Sequence, residues 1–99
     1  VNIAGGMKMN EPALDLAIIL ALVSSLKDRP VDEKTIVFGE VGLSGEVRAV
    51  SMADQRVSEA AKLGFETCIL PGICVDKMKD TGKIRLIGVR NVREAIGIL

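Results

Sequence analysis

Apolar and polar positions fall along this chain in two rhythms, and each change of rhythm marks an element. Residues 1–4 alternate as a strand does and stop at Gly5-Gly6, a turn signal. Asn10 suits an N-cap, with Glu11 and Pro12 in the first turn, where a carboxylate favours the helix dipole and a missing N–H costs nothing. The pattern predicts a helix over 11–27, closed by Lys27 and Arg29 and barred from continuing by Pro30. Beyond Asp15 this helix is almost wholly apolar, which predicts cover on most sides, with a sheet on one face and another layer on the other. Its longest apolar run, residues 16–23, is far below the ~20 residues of a membrane span. It therefore reads as a core helix.

Residues 35–41 are rich in β-formers, and Gly42 and Gly45 flank a short turn before residues 46–50, so the two runs predict a hairpin. A second helix is expected over 53–63, with Val57, Ala60 and Ala61 on its apolar side and Gly64 as its C-cap. Residues 67–70 predict a short buried strand ended by Pro71-Gly72, residues 75–79 a turn of helix, and residues 84–89 another strand. Asn91 caps a last helix running through Ile98. The whole is a mixed α/β pattern with one hairpin and no internal repeat.

Length and composition narrow the possibilities. Ninety-nine residues, 48% hydrophobic and 26% charged, make one globular domain over 1–99. Thirteen basic residues balance thirteen acidic ones, which excludes a strongly basic nucleic-acid module while leaving room for a local patch. With no His, Trp or Tyr, a histidine base, a histidine metal ligand and a stacked-aromatic platform are nearly closed off, Phe38 and Phe65 being the only rings. Cys68 and Cys74 are separated by five residues with no second pair, so they are expected to be buried reduced thiols of a cytoplasmic protein. The opening Val1-Asn2-Ile3-Ala4 reads as mid-protein, and an excised fragment is expected. No nucleotide-binding P-loop and no G-x-S-x-G elbow occurs, so a Ser–Lys dyad is the only hydroxyl nucleophile scheme left open.

Several runs carry a resemblance. Asn10-Glu11-Pro12-Ala13-Leu14-Asp15, the apolar helix, Arg29-Pro30-Val31, and the stretch from Gly39 to Val47 resemble the proteolytic domain of Lon-type Ser–Lys proteases. More specifically, residues 10–17, 38–48 and 55–65, together with Ile87-Gly88-Val89 and Val92-Arg93-Glu94-Ala95, resemble the Lon-like C-terminal domain of the RadA (Sms) family of bacterial DNA repair proteins. The resemblance implies an α/β (α+β) Lon protease-like fold, of the ribosomal protein S5 domain 2 type, lacking its first strands. The family's nucleophilic serine falls on Ala13, whose methyl has no lone pair to attack a carbonyl. Its catalytic lysine falls on Arg56, and a guanidinium does not serve as a general base. A family glycine falls on Asp15, which sets a carboxylate where negative charge would have to develop. The expectation is a degenerate, non-proteolytic site with no catalytic residue. A rescue by Ser44 or Ser51 with Lys34 or Lys62 would require a different geometry on the same fold.

The resemblance further implies a larger ATP-dependent repair and recombination protein, a hexameric ring that drives branch migration. Its ATP, Mg and Zn sites would lie outside this segment, which itself needs no cofactor or metal. Here the domain would serve as scaffold, self-association surface and DNA-contacting surface, with no membrane partner. Lys8, Arg48, Arg56 and Lys62 are the candidate DNA contacts, and the C-terminal third is mildly basic. Met7, Met9, Met52 and Met78 lie on or beside expected loops, as adaptable contacts would, although filling the core is the commoner use of methionine. Two alternatives stand beside this reading: the Lon-fold domain of a ComM-like ATPase, and an active Ser–Lys peptidase.

Overall fold

The computed structural model describes residues 12–78 and 83–99. The strand expected over 1–4 and the N-cap expected at Asn10 lie outside the described residues. A 3-10 turn at Pro12–Leu14 leads into α1, Asp15–Lys27. The α-helix thus begins four residues later than the pattern predicts. Leu14 stands at its N-cap without a side-chain cap, and the Gly39 carbonyl, from elsewhere in the chain, does part of that work. The Leu16 N–H donates to the Gly39 carbonyl at 2.9 Å, and the Asp15 carboxylate accepts from the Val41 N–H at 3.2 Å.

That capping explains a second departure. The single strand expected over 35–41 is two strands, β1 (Thr35–Val37) and β2 (Glu40–Val41), in different sheets. Between them Gly39 turns away to bond the Ala13 carbonyl through its N–H (2.9 Å) and Leu16 through its C=O. A Cβ on Gly39 would sit 3.1 Å from side-chain atoms of Leu16 and Val47, so the approach is close. β2 pairs antiparallel with β3 (Val47–Arg48), in the register Glu40↔Arg48 and Val41↔Val47. The hairpin is real but shorter than residues 46–50 suggested.

α2 (Ala53–Lys62) ends at the C-cap Leu63, and Gly64 follows with φ of +97°, the left-handed conformation a glycine supplies. β4 (Thr67–Pro71) runs without a loop into α3 (Gly72–Lys77). Pro71-Gly72 is therefore a helix start rather than only a stop, and α3 begins three residues ahead of the turn expected over 75–79. Extended backbone at Pro71 (ψ 134°) leads the chain into that helix. β5 (Arg85–Val89) and α4 (Val92–Ile96) complete the chain. Asn91 Oδ1 accepts the Glu94 N–H at 2.9 Å and Glu94 Oε1 accepts the Arg90 N–H at 2.7 Å, a reciprocal cap much like the capping box.

The sheet order is β1-β4-β5, all parallel. Alternation along these strands divides the core in two. Val37, Ile69 and Val89 pack with Leu16 and Leu20 of α1 and Ala95 of α4, and Phe38, Cys68 and Leu70 pack with Val57 and Ala60 of α2 and Cys74 of α3. The result is a small parallel sheet covered on both faces, in keeping with the expected mixed α/β class. One expectation fails. Among the described residues α1 is not covered on most sides: Leu22 and Leu26 are 62% and 86% exposed, while Leu16, Ala17 and Leu20 pack into the core beside the sheet.

Candidate functional site

Two of the positions singled out from the sequence, Ala13 and Arg56, meet the chain at the C-terminal end of β1. Ala13 lies in the 3-10 turn with its side chain 4% exposed and its carbonyl bonded to Gly39. Arg56, in the first turns of α2, is half-buried. Its Nε donates to the Ser51 carbonyl at 2.9 Å, and its guanidinium carbon stands 5.9 Å from the centroid of the Phe38 ring. Ala13 thus meets Gly39 through its backbone from the α1 side, while Arg56 meets Phe38 from the α2 side. Consecutive residues of one strand end join the two positions.

The chemistry available there is limited. Ala13 offers a methyl group, and Asp15 offers a carboxylate already engaged by the Val41 N–H. Arg56 offers a planar cation held by a carbonyl and a ring, a cation–π arrangement of the usual kind. Among the described residues, no hydrogen bond joins the Ser44 or Ser51 hydroxyl to Lys34 or Lys62, and no cluster of carboxylates and thiols could hold a metal ion.

Of the candidate DNA contacts, Lys8 lies outside the described residues. Arg48 belongs to the hairpin, where Nη2 and Nε reach Glu46 Oε2 at 3.0 and 3.2 Å and Nη1 stands 3.8 Å from Glu40. Two carboxylates therefore already face this cation. Lys62 is exposed in the last turn of α2, six residues and about 9 Å of helix rise beyond Arg56. No described contact brings Arg48, Arg56 and Lys62 together.

Glu46 was not singled out from the sequence, yet it organises the hairpin. Besides Arg48, its carboxylate accepts the Ser44 N–H at 3.1 Å. Its own backbone N–H and then the Arg48 side chain, with a lesser part from the Ser44 N–H, hold its carboxyl below the ordinary 4.5 against an opposing desolvation. The i, i+2 spacing of Glu46 and Arg48 on one strand face, with Glu40 directly across, was the available signal. Cys68 and Cys74 are both free and buried, and burial pushes the Cys68 thiol up to about 12, which makes it an inert core residue.

These elements recur in known proteins. A family model described as subunit ChlI of Mg-chelatase matches residues 1–73, from the segment before α1 into the start of α3 and so across Ala13, Asp15, Arg48, Arg56 and Lys62. The chain belongs to this family. Over nearly its whole length it is similar to the C-terminal part of the bacterial DNA repair protein RadA. It is 49% identical over 96 residues to RadA of Bacillus subtilis, covering 97% of this chain and 21% of that protein. Against RadA of Escherichia coli it is 46% identical over 98 residues, 99% of this chain and 21% of the relative. Against RadA of Aquifex aeolicus it is 44% identical over 102 residues, covering 100% and 22%. The chain spans about a fifth of the length of these relatives. None of the described helices is long and apolar enough to cross a membrane.

Proposed function

We propose that this chain is a non-proteolytic, Lon-like scaffold domain of a RadA-type ATP-dependent DNA repair and recombination protein. In that role it self-associates within a hexameric ring and presents a DNA-contacting surface during branch migration, while ATP, Mg and Zn are held by other parts of the polypeptide. The observation that carries the reading is the 46–49% identity to RadA sustained across 97–99% of the chain. That similarity continues through α3, β5 and α4, beyond the residues matched by the family model. A second reading, the Lon-fold domain of a ComM-like ATPase, draws on the chelatase description of that model. The RadA relatives favour the first.

Proteolysis is disfavoured by the residues themselves. A methyl at Ala13 supplies no nucleophile, and the guanidinium of Arg56 supplies no base. Restoring both groups by A13S and R56K in the full-length protein should still give no cleavage of a fluorogenic peptide. The hydroxyl would occupy a 4% exposed position, and Asp15 would remain beside it in the same turn of chain. Robust cleavage would show that the site is a protease lacking only its two reactive groups. The scaffold role is tested by deleting residues 1–99 from the full-length protein. Loss of ring assembly in sedimentation velocity, together with loss of branch migration, is the expected result. A deletion protein that assembles and migrates branches normally would refute the proposal.

A further inference from the structure

β5 is the edge of the parallel sheet, and its hydrogen-bond register decides which of its backbone groups are in use. The Arg85 N–H donates to the Glu66 carbonyl at 2.9 Å, and the pairing Thr67↔Arg85 through Pro71↔Val89 continues that register. In a parallel ladder, alternate residues turn both backbone groups to the same side. Arg85, Ile87 and Val89 therefore face β4, and the N–H and C=O of Leu86 and Gly88 face outward. Among the described residues nothing bonds those four groups. One residue further on the edge is closed, because the Val47 N–H takes the Arg90 carbonyl at 2.8 Å.

The surroundings of this open stretch resemble a site more than a bare edge. Gly88 is exposed and lines an open groove of about 480 Å³ with Gly72, Ile73, Val75, Asp76 and Arg90. Ile73 is 51% exposed and gives the groove an apolar wall. From 83 to 93 the chain carries Lys83, Arg85, Arg90 and Arg93 and no carboxylate, and none of these four cations is in an ion pair among the described residues.

We propose that the outer edge of β5 is a docking site for an extended acidic peptide, which adds as a strand beside Leu86 and Gly88. The free groups are two donors and two acceptors in alternation, the complement of an extended peptide backbone. Phosphate offers only acceptors, so the outward carbonyls of Leu86 and Gly88 would oppose a nucleic-acid backbone there. In an antiparallel pair with a second copy of β5 the outward residues Leu86 and Gly88 would oppose one another, which sets Arg85 against Ile87 or Val89 and gives it no opposite charge. A peptide with alternating acidic and apolar residues satisfies both faces at once. Its acidic side chains lie on the Arg85 face and its apolar ones on the Ile73 face. Because a slip of one residue would exchange the two sets, the alternation also fixes the register.

The probe is a fluorescein-labelled hexapeptide of alternating Glu and Val, measured by anisotropy against the full-length protein at low salt. Saturable binding is expected, weakened at least about tenfold by R85E, an exposed position. Two peptides N-methylated on opposite sets of alternate amides leave the protein untouched. One should lose binding, and the other should keep it. The proposal is overturned by any of four results: no binding, equal binding of both N-methylated peptides, equal binding of a Lys–Val peptide, or competitive displacement by a 30-base-pair duplex.

Discussion

Gly88 and Gly97 give opposite expectations for the same substitution. A Cβ on Gly88 would lie 2.9 Å from the Gly72 Cα and 3.2 Å from Val75 Cγ2. Carbon pairs settle near 3.5–4.0 Å, so α3 would have to retreat from β5 by roughly half an ångström or more. Because α3 follows β4 without a connecting loop, and β4 is hydrogen-bonded to β5, a rigid retreat would disturb the ladder itself. Overpacking of this kind costs about 1–3 kcal/mol, against a gain of about 0.4–1 kcal/mol from a stiffer unfolded chain. Gly88→Ala should therefore destabilise by about 1–2 kcal/mol. Gly97 sits at φ −63°, ψ −16°, where its Cβ would meet only the Glu94 and Arg93 carbonyls at 3.4 and 3.6 Å. Gly97→Ala should be neutral or stabilising by up to about 1 kcal/mol. Urea unfolding of the 99-residue chain followed by far-UV circular dichroism reads both. With a slope of about 1–2 kcal/mol/M, the midpoint should fall by about 0.5–2 M for Gly88→Ala and hold or rise for Gly97→Ala. Equal shifts of one sign would refute the close approach of α3 to β5.

Other expectations follow from single groups. The carboxyl of Glu46 is held below 4.5, so its contribution to stability is complete above that value and is lost as pH falls through the lowered native one. The stability difference between the chain and its Glu46→Gln variant should be level from pH 5 to 7 and shrink below about 4.5; a difference independent of pH would contradict the hairpin geometry. The Cys68 thiol, pushed up to about 12 from an ordinary 9.0, should resist iodoacetamide at pH 8 until the chain unfolds. Labelling at the rate of a free thiol would place it at the surface. Balanced charge predicts that this segment alone binds duplex DNA more weakly than about 10⁻⁶ M at physiological salt, and a tighter, salt-dependent constant would mean an undetected basic patch.

What the sequence reveals of the fold depends on how far apart the cooperating residues lie. The Asn91 cap is legible because donor and acceptor are three residues apart. The hairpin is legible because Gly42 and Gly45 bracket its turn. The division of residues 35–41 into two strands is not, since Gly39 leaves the sheet to bond Ala13 and Leu16, 26 and 23 positions earlier. Nor does local pattern distinguish an apolar helix that is covered from one that exposes Leu22 and Leu26. Periodicity reports how many apolar residues there are to bury, while the partners that bury them come from elsewhere in the chain.

The candidate site obeys the same rule more strictly. Nothing in composition or spacing distinguishes Ala13 or Arg56; resemblance alone picks them out, and the geometry then gives each an occupation. The Arg56 guanidinium donates to the Ser51 carbonyl ahead of α2 and lies over the Phe38 ring. A planar fork donates along its edge while its face rests on an aromatic ring, whereas an ammonium presents neither edge nor face. A lysine here would keep the charge and lose this combination, so the residue that cannot act as a base is also the one suited to tie α2 to the end of β1. Ala13, on the other side of the same strand end, passes its carbonyl to Gly39 and keeps a buried methyl. The two positions therefore meet one strand end in different ways: Arg56 through the identity of its side chain, and Ala13 through a backbone carbonyl that any residue there would present.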